Sequence, residues 1–304
     1  MKNLSTLIRL IITLMVFYLI FKKAQLQKFS TLLSQIKIQL FILAIFFNFL
    51  AVVFQTWRWK FFLNDNSHFL MLLKIYLVSF FLGNFLPSGG LDVVRGYYIS
   101  SDEKRFSEGF AVVVIDRLTG FIAVALLSIL AIGIGFNLSL HMKRLILGAA
   151  AGLIIAMILS FNNFFYKTVR SAMLFVKIFN IGERFARFYD TYYDFRNSRT
   201  RVFIGILISF GVQFSYAISA FFAMRSIGLG YPLQRFLLFV PLINMVAMVP
   251  VTISGIGLRE GGFVALFRSA LGREGAILTS LLYYLSGVIV SLAGGIIYLS
   301  GKVK

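Results

Sequence analysis

Two stretches of this 304-residue chain carry residue types suited to holding an anion. The first reads Asn84-Phe85-Leu86-Pro87-Ser88-Gly89-Gly90-Leu91-Asp92-Val93-Val94-Arg95, and the second Pro250-Val251-Thr252-Ile253-Ser254-Gly255-Ile256-Gly257-Leu258-Arg259-Glu260. In each, an apolar run meets a proline, then Ser and Gly that permit a broken backbone, then a second apolar helix with an arginine in its first turns. A planar guanidinium grips phosphate through two parallel bonds. Half-helix amino ends add unpaired N–H groups and a positive dipole end. Arg95 and Arg259 are the leading headgroup ligands. The wider candidate set is Asn84, Pro87, Ser88, Gly89, Gly90, Asp92, Arg95, Asp116, Arg117, Ser254, Gly255, Gly257, Arg259 and Glu260.

Each ionisable member has a structural alternative. Asp92 and Arg95 are three apart and can pair on one helical face, or Asp92 can cap that helix. Asp116 and Arg117 are adjacent and point to different faces, so one of them faces Arg95 or the headgroup, or Arg117 serves only as an interfacial anchor. Glu260 can pair with an arginine, receive a cationic headgroup or carry a proton. Trp57-Arg58-Trp59-Lys60 reads as an interfacial anchor.

The elements that position these residues are membrane spans. Apolar residues make up 59% of the chain and charged ones 13%, against about 45–50% and about 25% in soluble domains. Eight stretches approach the about 20 apolar residues of a spanning helix: Leu4 to Phe21, Ile38 to Thr56, Phe69 to Leu86, Gly109 to Phe136, Leu145 to Phe161, Val202 to Met224, Phe236 to Ile253 and Ala276 to Ser300. The expected fold is all-α and polytopic, with two broken or re-entrant helix motifs closing pseudo-repeated halves. Non-helical backbone at membrane depth survives only where it is buried in protein or lines a wet cavity, so the two breaks are expected to line something. Gly287, Ser291 and Gly295, and Gly148 with Gly152, read as small-residue ridges where helices pack closely.

The net charge of +19 is spread over the connecting segments. Asn162 to Arg201 holds eight basic residues against three acids, which makes it the cytoplasmic candidate by the positive-inside rule. Arg170, Lys177 and Arg184 recur there every seven residues beside Phe and Tyr, as in an amphipathic helix on an anionic leaflet. The basic residues flank spans and form no separate module, which argues against nucleic acid. With no cysteine, isolated His68 and His141 and no nucleotide phosphate loop, no metal, cofactor or ATPase site is expected.

The order Asn84, Pro87, Gly89, Gly90, Asp92, Arg95, then Asp116-Arg117, then Gly257-Leu258-Arg259-Glu260-Gly261 resembles the lysylphosphatidylglycerol synthase transmembrane region family, the flippase-like or UPF0104 proteins. Leu91 stands between the glycine pair and Asp92 where many relatives read Gly-Gly-Asp directly. The resemblance implies a single flippase-like domain over residues 1–304 in the plasma membrane which, as in the best-studied members, moves aminoacylated phospholipid between leaflets; in a departure from the full-length synthases, no soluble aminoacyltransferase domain is expected. Its substrate would be an anionic phospholipid or a polyprenyl phosphate. The competing expectations are a membrane-embedded lipid transferase, with Asp92, Asp116 or Glu260 as base, and a non-catalytic partner of a lipid or glycan synthesis enzyme.

Overall fold

The structure is a computed structural model. It describes residues 15, 22, 25–63, 68–86, 90–99, 103–133, 140, 143–144, 147–148, 150–152, 155, 159, 162, 166–168, 189–248, 252 and 254–301. Among these residues the regular elements are helices: α1 Leu26–Ser34, α2 Ile38–Leu63, α3 Phe69–Gly83, α4 Gly90–Ile99, α5 Glu103–Gly133, α6 Arg199–Ser226, α7 Leu233–Ala247 and α8 Leu258–Leu299, with one 3-10 turn at Phe195–Asn197. Among the described residues, four stretches are long and apolar enough to cross a bilayer: α2, the Gly109–Leu130 part of α5, α6 and α8. The outward faces of these helices are greasy. Ile38, Ile42, Phe46 and Phe49 form an exposed stripe on α2, as do Leu285, Leu292, Ile296 and Leu299 on α8. A water-soluble helix would present polar groups there, whereas lipid accepts such a face.

The helices depart from the expected spans where the backbone demands it. The stretches 4–21 and 145–161 lie largely outside the described residues. α3 stops at Gly83 and α7 at Ala247, short of Leu86 and Ile253. At 15 residues each, they are about 22 Å long, less than the about 30 Å hydrocarbon core. α8 looks like one 42-residue helix, but Gly272 sits at φ 70 and ψ 169 and breaks it. The arm 258–271 is therefore about 21 Å long and the arm 273–299 about 40 Å. Only the second arm has the length of a full span, and it contains the expected Ala276 to Ser300.

The chain gathers into two compact units. The first comprises Met1–Val53, Leu73–Leu91 and Val212–Lys304, and the second Phe54–Leu72 and Asp92–Gly211. The core of the first unit is aromatic: Phe236, Phe263 and Phe267 are fully buried, with Phe263 stacked on Phe267 and Phe236 tilted against it. Its second arm of α8 packs on α3 through the small-residue ridge. Asn84 Nδ2 donates to Ser291 Oγ at 2.8 Å. A Cβ built on Gly294 would lie 2.0 Å from the Leu77 carbonyl oxygen, and one on Gly295 would lie 2.8 Å from the Phe81 ring. By contrast, no described atom comes within 4 Å of a Cβ at Gly148 or Gly152, so the ridge expected there has no described partner.

In the second unit, Phe62 fills the space left by Gly205, whose Cβ would lie 2.2 Å from the ring. Within the basic segment, Tyr189, Tyr192 and Tyr193 are buried. Tyr166 stacks on Tyr193 at 4.0 Å and donates its hydroxyl to Asp190 Oδ1 at 2.5 Å. Arg170, Lys177 and Arg184, which suggested a surface helix, lie outside the described residues.

Because the Gly294 contact is with backbone, it cannot be relieved by a rotamer change. Gly294→Ala should destabilise the protein by about 1–3 kcal/mol through overpacking. Gly133→Ala, which meets no described atom within 4 Å, should be neutral or mildly stabilising. Thermal unfolding of both variants in detergent checks this.

Candidate functional site

The candidate residues fall into two groups, one in each unit. In the first unit the two breaks touch. After α3, the N–H groups of Asn84, Phe85 and Leu86 donate to the carbonyls of Phe81, Leu82 and Gly83, so the helix tightens into i→i+3 bonds before it ends. Before α8, Ser254, Gly255 and Gly257 have φ of 52, 73 and 88, a left-handed run that reverses the chain. Gly255 is required there on two counts, because a Cβ would also lie 2.6 Å from the Ala247 carbonyl oxygen. Ser254 Oγ donates weakly to the carbonyls of Asn84 and Gly83, at 3.3 and 3.4 Å. The last carbonyls of one broken helix are thus met by the other break. Pro87, Ser88, Gly89 and Pro250 lie outside the described residues. Gly90 opens α4, where a Cβ would lie 2.2 Å from that of Leu86, so the turn closes tightly.

Glu260 and Arg259 follow the second break and behave differently. Glu260 is 1% exposed. Its carboxylate accepts the Gly257 N–H at 2.6 Å and the Ser280 hydroxyl at 3.1 Å. It caps the amino end of its own helix, reaching back from the third helical position as in a capping box, and it does not pair with Arg259. The guanidinium of Arg259 lies 4.8 Å from the Tyr284 ring centroid, with Nη2 donating to the Ser254 carbonyl at 3.4 Å. Its Nε and Nη1 are buried, and neither has a hydrogen-bond partner among the described residues. A buried charged donor without an acceptor costs about 1–3 kcal/mol or more.

The second unit holds a buried ion network. Arg58 Nε donates to Asp116 Oδ1 at 2.5 Å and Nη1 to Ser209 Oγ at 2.7 Å. Arg95 Nη2 donates to Asp92 Oδ1 at 2.5 Å, and Nη1 and Nη2 reach Asp116 Oδ2 at 3.4 Å. Arg117 pairs with the other oxygen of Asp92. The Arg95 guanidinium also lies 5.3 Å from the Trp59 ring centroid. Four helices are tied by these contacts: α2, α4, α5 and α6. The expected Asp92–Arg95 pair is present, and Asp116 and Arg117 engage different partners, as their adjacency demanded.

Arg58 and Trp59 correct the sequence reading. They are 5% and 0% exposed, so they belong to the interior of the second unit and not to an interfacial anchor; Trp57, at 54% exposed, keeps that character. The signal that could have found Arg58 is Gly120, four residues after Asp116. A Cβ there would lie 3.2 Å from Arg58 Nη1, so the glycine leaves room for the guanidinium.

Removing the carboxylate shared by Arg58 and Arg95 leaves two buried cations short of a partner. Asp116→Ala should cost about 3–5 kcal/mol of stability. Arg117→Ala should cost about 0–1 kcal/mol, because its side chain is 26% exposed and Asp92 keeps Arg95. Denaturant unfolding in detergent ranks the two variants.

The family described as the lysylphosphatidylglycerol synthase TM region matches residues 6–295. A UPF0104 membrane protein of Pyrococcus horikoshii is 27% identical over 309 residues, covering 92% of each chain. A second UPF0104 membrane protein, of Methanothermobacter thermautotrophicus, is 25% identical over 293 residues, covering 85% of this chain and 84% of its own. With a match over residues 6–295, nearly the whole sequence, the chain belongs to the lysylphosphatidylglycerol synthase transmembrane region family.

Proposed function

We propose that this protein binds the anionic headgroup of a membrane lipid at Arg259 and moves it between leaflets. The observation that carries the reading is the guanidinium itself: Nε and Nη1 are buried beside two interrupted helices and have no acceptor among the described residues. A phosphate entering there makes charge-assisted bonds to donors that otherwise lie idle. Arg95 is reassigned. Its carboxylate partners Asp92 and Asp116 already meet its charge, so it acts as framework and not as a headgroup ligand.

The reading takes the chain as eight spans in one domain of the plasma membrane, with the arms after each break as re-entrant half-helices. What supports this is length. Arg259 stands 13 residues from the Gly272 turn, about 20 Å along the helix, which places it deep within an about 30 Å core if that turn lies at the interface. Backbone at such depth is tolerated where it lines a cavity. An anionic phospholipid or a polyprenyl phosphate meets the same chemistry.

The test is fluorescent phosphatidylglycerol translocation in vesicles carrying the full chain. A lost charge-assisted bond of about 1.5–3 kcal/mol corresponds to about a ten- to hundredfold change. Arg259→Ala should therefore slow translocation by about tenfold or more, while Arg268→Ala, an exposed arginine on the same arm, should leave it unchanged. A wild-type rate equal to that of empty vesicles, or to that of Arg259→Ala, sinks the reading.

A further inference from the structure

One short helix of the first unit is tied down at both ends and left open along its length. In α1, Leu26, Phe29, Leu32 and Leu33 share one side at about 3.6 residues per turn, with Gln27, Ser30, Thr31 and Ser34 opposite and Lys28 at the boundary. The Gln25 N–H at its amino end donates to the Glu274 carboxylate at 3.1 Å, and just past its carboxyl end the Lys37 N–H donates to the Ser226 carbonyl at 2.8 Å. None of its described side chains is buried, and Leu33 is 45% exposed. Isolated helices shorter than about 12–15 residues are marginal in water. A nine-residue amphipathic helix therefore calls for a surface to lie on.

Its surroundings indicate which surface. α2 begins at Ile38, directly after Lys37, and Ile38 and Ile42 already face outward. α6 ends at Ser226, and the second arm of α8 begins at Arg273, where a Cβ on Gly275 would lie 2.6 Å from Leu229 Cδ1. Helices of spanning length thus start or stop beside α1, which sets it where hydrocarbon gives way to headgroups. All of these residues belong to the first unit. The segments 22–37, 225–235 and 268–275 contain eight Lys and Arg and one acid, Glu274, which is committed to the Gln25 N–H. Lys22, Lys28, Lys37, Arg225 and Arg268 are exposed.

We propose that this end of the first unit is a docking surface for an anionic leaflet, with α1 lying in the headgroup plane. Its leucine stripe enters the upper acyl region, and the lysines and arginines around it gather anionic headgroups. Charge sign and position at the span ends together favour bilayer lipid over a protein partner as the occupant. Because Glu274 stands two residues past Gly272, docking of α1 also holds the α8 turn at the interface. This surface does not depend on what Arg259 binds.

The chain has no cysteine, so Thr31→Cys and Leu33→Cys each give one fluorophore site, on opposite sides of α1. The labelled full chain is placed in vesicles of equal parts phosphatidylcholine and phosphatidylglycerol. A lipid-borne nitroxide should quench the label of Leu33→Cys about twofold or more over that of Thr31→Cys, and aqueous acrylamide should do the reverse. Nitroxide on phosphatidylglycerol should quench the label of Leu33→Cys about threefold more than the same nitroxide on phosphatidylcholine, an excess that high salt removes. Lys28→Gln combined with Arg268→Gln should reduce that excess too, whereas Arg259→Ala should leave it unchanged. Acrylamide quenching of both labels alike puts α1 in water and overturns the surface. Shielding of both labels from nitroxide and acrylamide shows that protein covers the helix and overturns the lipid assignment. Equal quenching by the two nitroxide lipids overturns the anionic preference. Loss of the excess in Arg259→Ala alone means that the label reports lipid held at Arg259, which overturns α1 as the docking element while sparing the headgroup site.

Discussion

A guanidinium removed from water must be answered by protein or by ligand, and this constraint organises both units. In the second unit the answer is internal. Asp116 and Asp92 lie between Arg58, Arg95 and Arg117, and the resulting ties hold α2, α4, α5 and α6 to one another. Such a network is weak evidence for net stability, since desolvation offsets much of the attraction, but it is intolerant of losing one partner. In the first unit the nearest acid is turned away from the arginine and into the helix cap, and the guanidinium keeps donors to spare. Two arginines in look-alike sequence motifs therefore sit in opposite surroundings.

The breaks are built to satisfy a backbone that cannot count on water. α3 closes with i→i+3 bonds, and its last carbonyls lie within reach of the Ser254 hydroxyl. The start of α8 is capped by its own Glu260, with Gly257 in the left-handed region leading into the first turn. The carboxylate that looks most available for chemistry in the sequence is thereby committed to holding a half-helix end. That commitment leaves Arg259 without a counterion among the described residues.

Packing around the breaks depends on residues with no chemistry. Gly294 and Gly295 let the second arm of α8 lie directly on the backbone and aromatic rings of α3, and Ser291 uses the same ridge to hold Asn84. In lipid the outward faces contribute little to holding helices together, so close backbone approach and hydrogen bonds between helices carry more of that burden.

Composition and hydropathy by themselves determined the membrane class, the helical character of the described residues and the stops after α3 and before α8, because continuous apolar runs, prolines and glycines act within a few residues of themselves. The Asp92–Arg95 pair was legible for the same reason. What only the tertiary structure decided was the state of each charge. Arg58 sits 58 residues from Asp116 and 151 from Ser209, and locally it looks like one more basic residue beside a tryptophan at a span end. Arg95 and Arg259 carry the same local signature, yet α5 supplies a carboxylate to the first, while the cap of α8 withholds one from the second. Whether a buried cation is paired depends on which distant side chains the packing brings within about 4 Å of it, and no local pattern encodes that.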